Sequence, residues 1–137
     1  MKILFTNFTA VLSISSIMPA RLMLISNDVF KESKGAFTED YVMQQLVNRG
    51  RSDLGIYYFS KDNSMMEIDF LIQTEERVIP LEVKAEENVH SKSLRTFVMN
   101  EFADKHLKGL RCSMRGYIDQ EWMENIPLYA VGEYIGD

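Results

Sequence analysis

Cysteine, proline and tryptophan are scarce in this chain of 137 residues, which contains one cysteine, three prolines and one tryptophan. A single cysteine excludes a disulfide within the chain and favours a reducing, cytoplasmic setting. Cys112 lies among strand-like residues, so we interpret it as a buried thiol. No apolar run of about 18 residues occurs, and the sequence therefore predicts no transmembrane helix.

Positive charge is also in short supply, since the formal net charge is −5. An acidic protein is poorly suited to holding phosphate groups over its whole surface. The basic residues are concentrated between His90 and Arg115, where only Glu101 and Asp104 oppose them. They are Lys92, Arg95, Lys105, Lys108, Arg111 and Arg115. This distribution fits an acidic pocket beside a basic flank, and it also fits an ordinary solvated surface.

Hydrophobic periodicity is unclear in residues 1–29, where we predict only a strand and a short helix. Polar residues interrupt the apolar stretch near the N-terminus, which argues against a secretory signal peptide. Clear patterns occupy residues 30–133. The length predicts a single domain over residues 1–137.

The patterns in the rest of the chain predict an α/β fold. A helix is predicted at residues 34–49, ending at Gly50. Strands follow at residues 56–59, 66–73 and 77–84, then a helix at 92–105 and strands at 110–114 and 128–131. Consecutive strands before a helical crossover predict a mixed central β-sheet flanked by helices.

The first predicted helix has a carboxylate on its apolar face. At about 100° per residue, Glu39 falls on the same side as Val42, Met43 and Leu46. A carboxylate directed at a core is costly unless another group compensates it. Glu39 is therefore a candidate functional residue.

A hairpin of the second and third strands would bring more charges together. With a loop of two or four residues, Asp69 faces Glu82 and Glu67 faces Lys84, with Cβ atoms roughly 4.5–5.5 Å apart. Two carboxylates at that distance raise one pKa unless a cation lies between them. Such a pair suits Mg²⁺ or Mn²⁺, and Lys84 is placed to position a water or to stabilise charge on a phosphate. The alternative is a solvent-exposed polar face with charge pairs such as Glu67–Lys84.

These residues resemble the layout of the PD-(D/E)XK nuclease superfamily, which has an acid in a first helix, Asp in a second strand and Glu-x-Lys in a third. More narrowly, residues 30–133 resemble the DUF4143 family. The similar blocks are residues 34–42 (KGAFTEDYV), 67–72 (EIDFLI), 79–84 (IPLEVK), 87–89 (ENV) with 91–94 (SKSL), and 127–130 (PLYA). Ile68 stands where the superfamily usually has a proline before the aspartate.

The resemblance implies a restriction-endonuclease-like core with Glu39, Asp69, Glu82 and Lys84 as the catalytic set. It also implies that Asp69, Glu82 and the backbone carbonyl of Val83 hold Mg²⁺ or Mn²⁺. In that family the domain usually follows an AAA+ ATPase module in a bacterial or archaeal protein. This sequence has no Gly-x-x-x-x-Gly-Lys-Ser/Thr loop, so we expect a domain that lacks the ATPase module and does not bind ATP.

Two functions are open at this point. The first is metal-dependent hydrolysis of phosphodiester bonds in DNA or RNA, which the four charged residues favour. The second is a non-catalytic binding, regulatory or oligomerisation module that keeps the nuclease fold and docks onto an ATPase module or a second copy. The acidic net charge favours the second. Trp122 is a candidate for stacking on bases, with ordinary packing as its alternative.

Overall fold

A computed structural model describes residues 2–5, 27–49, 54–61, 66–86 and 90–136. Over these residues the helices are α1 (Asn27–Arg49), α2 (Lys92–Thr96) and α3 (Val131–Gly136). The strands are β1 (Lys2–Phe5), β2 (Gly55–Ser60), β3 (Glu67–Gln73), β4 (Val78–Lys84), β5 (Gly109–Ser113), β6 (Ile118–Asp119) and β7 (Met123–Pro127). The predicted short N-terminal helix and the helix end at Gly50 lie outside the described residues.

The seven strands of the described chain form one sheet in the order β1-β2-β3-β4-β5-β7-β6. The first four strands, β1 to β4, pair antiparallel with one another. β5 then lies parallel to both β4 and β7, and β6 completes the edge antiparallel to β7. The connection from β4 to the parallel β5 contains α2, as expected for a crossover. The prediction of a mixed sheet flanked by helices is confirmed.

Two apolar clusters cover the two faces of the sheet. On one face, α1 and α3 pack on the centre of the sheet. The buried side chains of this cluster are at most 7% exposed. Its members include Val42, Met43, Leu46, Leu81, Val83, Leu110, Cys112, Ile126 and Val131. On the other face, Leu94, Phe97 and Val98 pack against Phe59, Met66 and Ile68. Burial raises the pKa of the Cys112 thiol, as expected for an inert buried cysteine.

The four strands predicted at residues 56–59, 66–73, 77–84 and 110–114 are confirmed, with ends that shift by one residue. The hairpin loop between β3 and β4 has four residues, one of the two lengths considered. Thr74 shapes this loop, because its backbone N–H donates to the carbonyl of Arg77 at 2.9 Å. The Thr74 hydroxyl accepts the Arg77 N–H at 3.1 Å.

No helix in the described part of the chain is long and apolar enough to span a bilayer.

Helix α1 begins at Asn27, seven residues before the predicted start. The prediction took Lys34-Gly35 as the start of the helix. Gly35 instead lies within α1, where a Cβ would meet no atom within 4 Å. Asn27 and Asp28 belong to the residue types that favour helix starts.

The predicted strand at residues 128–131 is wrong. The last long strand is β7, and Leu128–Ala130 form a 3₁₀ turn that leads into α3. The prediction of a helix at residues 92–105 is also only partly confirmed. Regular α-helix ends at Thr96, a π-helical turn spans Phe97–Glu101, and a 3₁₀ turn spans Ala103–Lys105.

Candidate active site

Strands β3 and β4 separate where the predicted acids lie. Their register pairs run from Gln73–Val78 to Phe70–Leu81, which is the register predicted from the loop. If the same register continued past Phe70–Leu81, Val83 would pair with Ile68. Instead, the Val83 N–H donates at 2.7 Å to the Asp69 carboxylate. A side chain thus takes the place of the next backbone acceptor, and the hairpin opens at this end.

A bulge in β3 accompanies this opening. Tyr57 of β2 pairs with Leu71 and Phe59 pairs with Ile68, so β3 has one more residue than β2 in this interval. An extra residue in one strand redirects the side chains around it. Consistently, Ile68 packs in the cluster with α2, whereas Phe70 packs in the cluster with α1. The bulge lies at Asp69.

Glu82 is buried although it is charged. It is 5% exposed, and the Lys84 ammonium lies 3.0 Å from its Oε1 atom. Its other oxygen, Oε2, is buried and has no hydrogen-bond partner within the described structure. A buried carboxylate oxygen without a donor is energetically costly. The alternative of a solvent-exposed polar face is therefore wrong for Glu82, and Lys84 pairs with Glu82.

Negative charge accumulates at the opened end of the hairpin. Burial raises the pKa of Asp69, and the charge of Glu82 raises it further, against the lowering effect of the Val83 N–H and of Lys84. Glu39 is partly exposed, yet desolvation and then the charges of Asp69 and Glu67 raise its pKa to about 7, against the lowering effect of Lys84. The four predicted site residues therefore form one electrostatically coupled group.

The coupled group draws its residues from three elements of the fold. Glu39 comes from α1, three and four residues before Val42 and Met43, which are buried against the sheet, and its own side chain is exposed. Asp69 comes from β3, whereas Glu82 and Lys84 come from β4. Among the described residues, no three His, Cys, Asp or Glu side chains are arranged to hold a metal ion by themselves.

Sequence reasoning missed a buried polar cluster beside Glu82. Arg111 of β5 is the register partner of Glu82, and it is 6% exposed. Its Nε donates to Asn125 at 2.7 Å and one terminal nitrogen donates to Ser91 at 3.2 Å. Asn125 also accepts the Ser113 hydroxyl at 2.7 Å. The concentration of basic residues after His90 signalled Arg111, but nothing in the sequence distinguished it from its basic neighbours.

The fold and the site define a mixed α/β domain whose acidic group lies where two antiparallel strands separate. The family model described as Domain of unknown function (DUF4143) matches residues 34–131. The chain belongs to this family, and the matched residues include all four members of the coupled group. Neither the search of curated proteins nor the search of solved structures found a match to the chain.

Proposed function

We propose that this domain is a metal-dependent nuclease that hydrolyses phosphodiester bonds in DNA or RNA, related to the PD-(D/E)XK superfamily. One observation carries the proposal: strands β3 and β4 part at Asp69, and the buried Glu82 follows with its Lys84 partner. The order of the acid in α1, the aspartate in β3 and the Glu-x-Lys in β4 also supports it.

The residues present fit a hard divalent cation. Glu82 has a buried oxygen without a donor, and the pKa of Asp69 is raised in part by the charge of Glu82. Mg²⁺ typically takes only one or two protein carboxylates and keeps several waters. A site of Asp69, Glu82 and the Val83 carbonyl is therefore compatible with the lack of a three-side-chain group in the described residues. When bound, such an ion lowers the pKa of a water and neutralises charge on the phosphate.

The remaining two groups have distinct roles in this proposal. The Lys84 ammonium is held at 3.0 Å by Glu82, which fixes a positive charge at the edge of the site. It orients the attacking water and stabilises charge that develops on the phosphate. Glu39, with a pKa near 7, assists as a proton acceptor at neutral pH.

The direct test is cleavage of labelled single- and double-stranded DNA and RNA in the presence of Mg²⁺ or Mn²⁺. We expect cleavage that EDTA stops and that Asp69→Asn, Glu82→Gln and Lys84→Met each abolish. Glu75→Gln, in the exposed hairpin loop, is the matched control and should leave the rate unchanged. Cleavage that survives in both Asp69→Asn and Glu82→Gln would rule out this site as its source.

Metal binding can be measured separately by titration calorimetry with Mn²⁺. We expect a binding heat in the wild-type protein that is lost in Asp69→Asn and in Glu82→Gln, and retained in Glu75→Gln. A folded wild-type protein that gives no heat and no cleavage contradicts the proposal.

A non-catalytic docking module is the second candidate. The net charge of −5 favours it, because it opposes binding of a polyanion. In this case the coupled charges would contact an ATPase module or a second copy of the chain. Concentration-dependent self-association in sedimentation experiments that Lys84→Met disrupts, with no metal heat, would support this candidate over the nuclease.

A further inference from the structure

A cavity of about 570 Å³ lies beside the acidic site, on the α2 side of the sheet. Its walls include Lys92 and Arg95 of α2, Arg111 of β5, Ser91 and Trp122. No aspartate or glutamate is found among the described residues that line it. The chain carries a net charge of −5, so this positive lining contrasts with the charge of the chain as a whole.

The structure separates these cations from the other basic residues of the same segment. Lys108 forms salt bridges with Asp119 at 2.7 Å and with Glu124 at 2.9 Å. Lys105 lies 3.1 Å from Asp104. Within the described ranges, the three cations that line the cavity form no salt bridge. The charges of Lys92 and Arg95 are therefore available to an anion, whereas the charge of Arg111 also interacts with that of Glu82.

Arg111 is held in place by neutral partners. Asn125 and Ser91 accept hydrogen bonds from its guanidinium, at 2.7 and 3.2 Å. These contacts fix the orientation of the group without cancelling its charge, and Glu82, its strand neighbour, forms its salt bridge with Lys84. The guanidinium of arginine is planar and can donate two parallel hydrogen bonds to a phosphate. A guanidinium whose orientation is already fixed is suited to this contact.

Trp122 supplies an aromatic surface in the same cavity. It is half-buried and packs in part against the apolar cluster that contains Leu94 and Phe97. The Arg95 guanidinium lies over its ring, 5.9 Å from the centroid. An aromatic ring beside a phosphate-binding cation is the combination that binds unpaired bases in single-stranded nucleic acids. Arg111 and Glu82 are register partners on strands about 4.8 Å apart, so the cavity adjoins the acidic site.

We propose that this cavity binds a single-stranded segment of nucleic acid, with its phosphates on Lys92, Arg95 and Arg111 and a base stacked on Trp122. This inference rests on the proposed nuclease function for its biological meaning, because it names the form in which the strand approaches Asp69 and Glu82. The binding itself requires neither carboxylate and no metal ion, so it can be tested alone.

The fluorescence of Trp122 reports directly on the cavity, because it is the single tryptophan of the chain. In EDTA, a short single-stranded oligonucleotide should quench this fluorescence, and a duplex should quench it far less. An abasic strand of equal charge should bind at least about fivefold more weakly, since it lacks the stacked base. Equal binding of intact and abasic strands, or binding without quenching, would overturn the proposal.

Variants test the two parts of the cavity by anisotropy of a labelled strand. Trp122→Ala should weaken binding about 5- to 100-fold, whereas Trp122→Phe, which keeps a ring and preserves packing, should weaken it much less. Lys92→Gln and Arg95→Gln should each lower the slope of log affinity against log salt by about 0.7. Lys105→Gln, outside the cavity, is the charge-matched control and should bind like wild type.

Asp69→Asn separates this inference from the proposed function. We expect this variant to bind the strand like wild type and not to cleave it. Normal binding without cleavage by any form of the protein would refute the nuclease proposal and leave the binding site standing. Cleavage by wild type with no effect of Trp122→Ala or Arg95→Gln on binding would refute the cavity and leave the nuclease standing.

Discussion

The backbone N–H of Val83 donates a 2.7 Å hydrogen bond to the carboxylate of Asp69 at the position where the strand register would offer it the carbonyl of Ile68. This exchange of a backbone acceptor for a side-chain acceptor marks where the hairpin opens. It makes Asp69 a structural residue of the hairpin as well as a candidate ligand, and its two roles can be separated by substitution.

We expect Asp69→Asn to be at least as stable as wild type and Asp69→Ala to be less stable than Asp69→Asn by about 1–3 kcal/mol. Asparagine keeps an oxygen that accepts the Val83 N–H. It also removes the negative charge of a carboxyl group whose pKa is raised by burial. Alanine leaves the N–H without that acceptor. Urea denaturation measures the free energy of unfolding of both Asp69 variants. The control pair Glu75→Gln and Glu75→Ala, in the exposed hairpin loop, should differ by less than about 0.5 kcal/mol. Equal stability of the two Asp69 variants would show that the hydrogen bond contributes nothing.

The raised pKa of Glu39 predicts a pH dependence of stability. The folded protein binds this proton more tightly than the unfolded chain, whose carboxyl keeps its ordinary pKa of 4.5, against about 7 when folded. Between these values the folded state holds more protons, so the free energy of unfolding falls as pH rises from about 4.5 to 7. Solvent screening at this partly exposed group limits the effect to less than about 1 kcal/mol.

Glu39→Gln should remove this component and become relatively more stable than wild type as pH rises through that window. Urea denaturation at several pH values between 4.5 and 8 measures it, with Glu76→Gln in the exposed hairpin loop as control. A constant difference between Glu39→Gln and wild type at every pH would contradict the prediction.

Leu46→Ala should destabilise the protein by about 2–5 kcal/mol, because Leu46 is 1% exposed and joins α1 to the sheet. The adjacent Val47, 40% exposed, provides the control. Val47→Ala should change the free energy of unfolding by less than about 0.5 kcal/mol. Chemical denaturation of the two variants distinguishes the faces of α1, and similar losses would mean that the helix does not pack as described.

Asn125→Ala should cost about 3 kcal/mol. Asn125 is fully buried, accepts hydrogen bonds from Arg111 and Ser113, and donates to the carbonyl of Gly116 at 2.8 Å. Its removal leaves several buried polar groups without partners. Thermal unfolding measures the loss, with the exposed Glu121→Ala as control. A loss below about 1 kcal/mol would indicate that the polar cluster is not closed as the structure shows.

The hairpin and most strands could be predicted from the sequence because their signals are local. Apolar and polar residues alternate along β3, and the four-residue loop sets the register of β3 and β4. β7 was missed because Glu124 and Asn125 interrupt its apolar pattern. Asn125 is nevertheless buried, since Arg111 and Ser113 bond to it across strands that the sequence does not place together.

The residues of the acidic group were predicted from residue type and spacing. The burial of Glu82 and the local backbone geometry at Asp69 were not. Alternation placed Glu82 and Lys84 on one face, but burial of Glu82 depends on α2 and β5 packing beside it. The bulge at Asp69 is also a tertiary feature, because it arises from the mismatch between β2 and β3. The cavity at Trp122 requires α2, β5 and the segment before β7 to meet, and no local pattern reports that.

The sequence alone therefore determined the periodic elements, the pairing of β3 with β4 and the identity of the four charged residues, because these follow from the order of neighbouring side chains. Only the tertiary structure decided that the hairpin opens at Asp69, that Glu82 loses water and that Arg111 meets Trp122 across a cavity. The physical reason is that desolvation and electrostatic coupling depend on segments that are distant in the chain and adjacent only after folding.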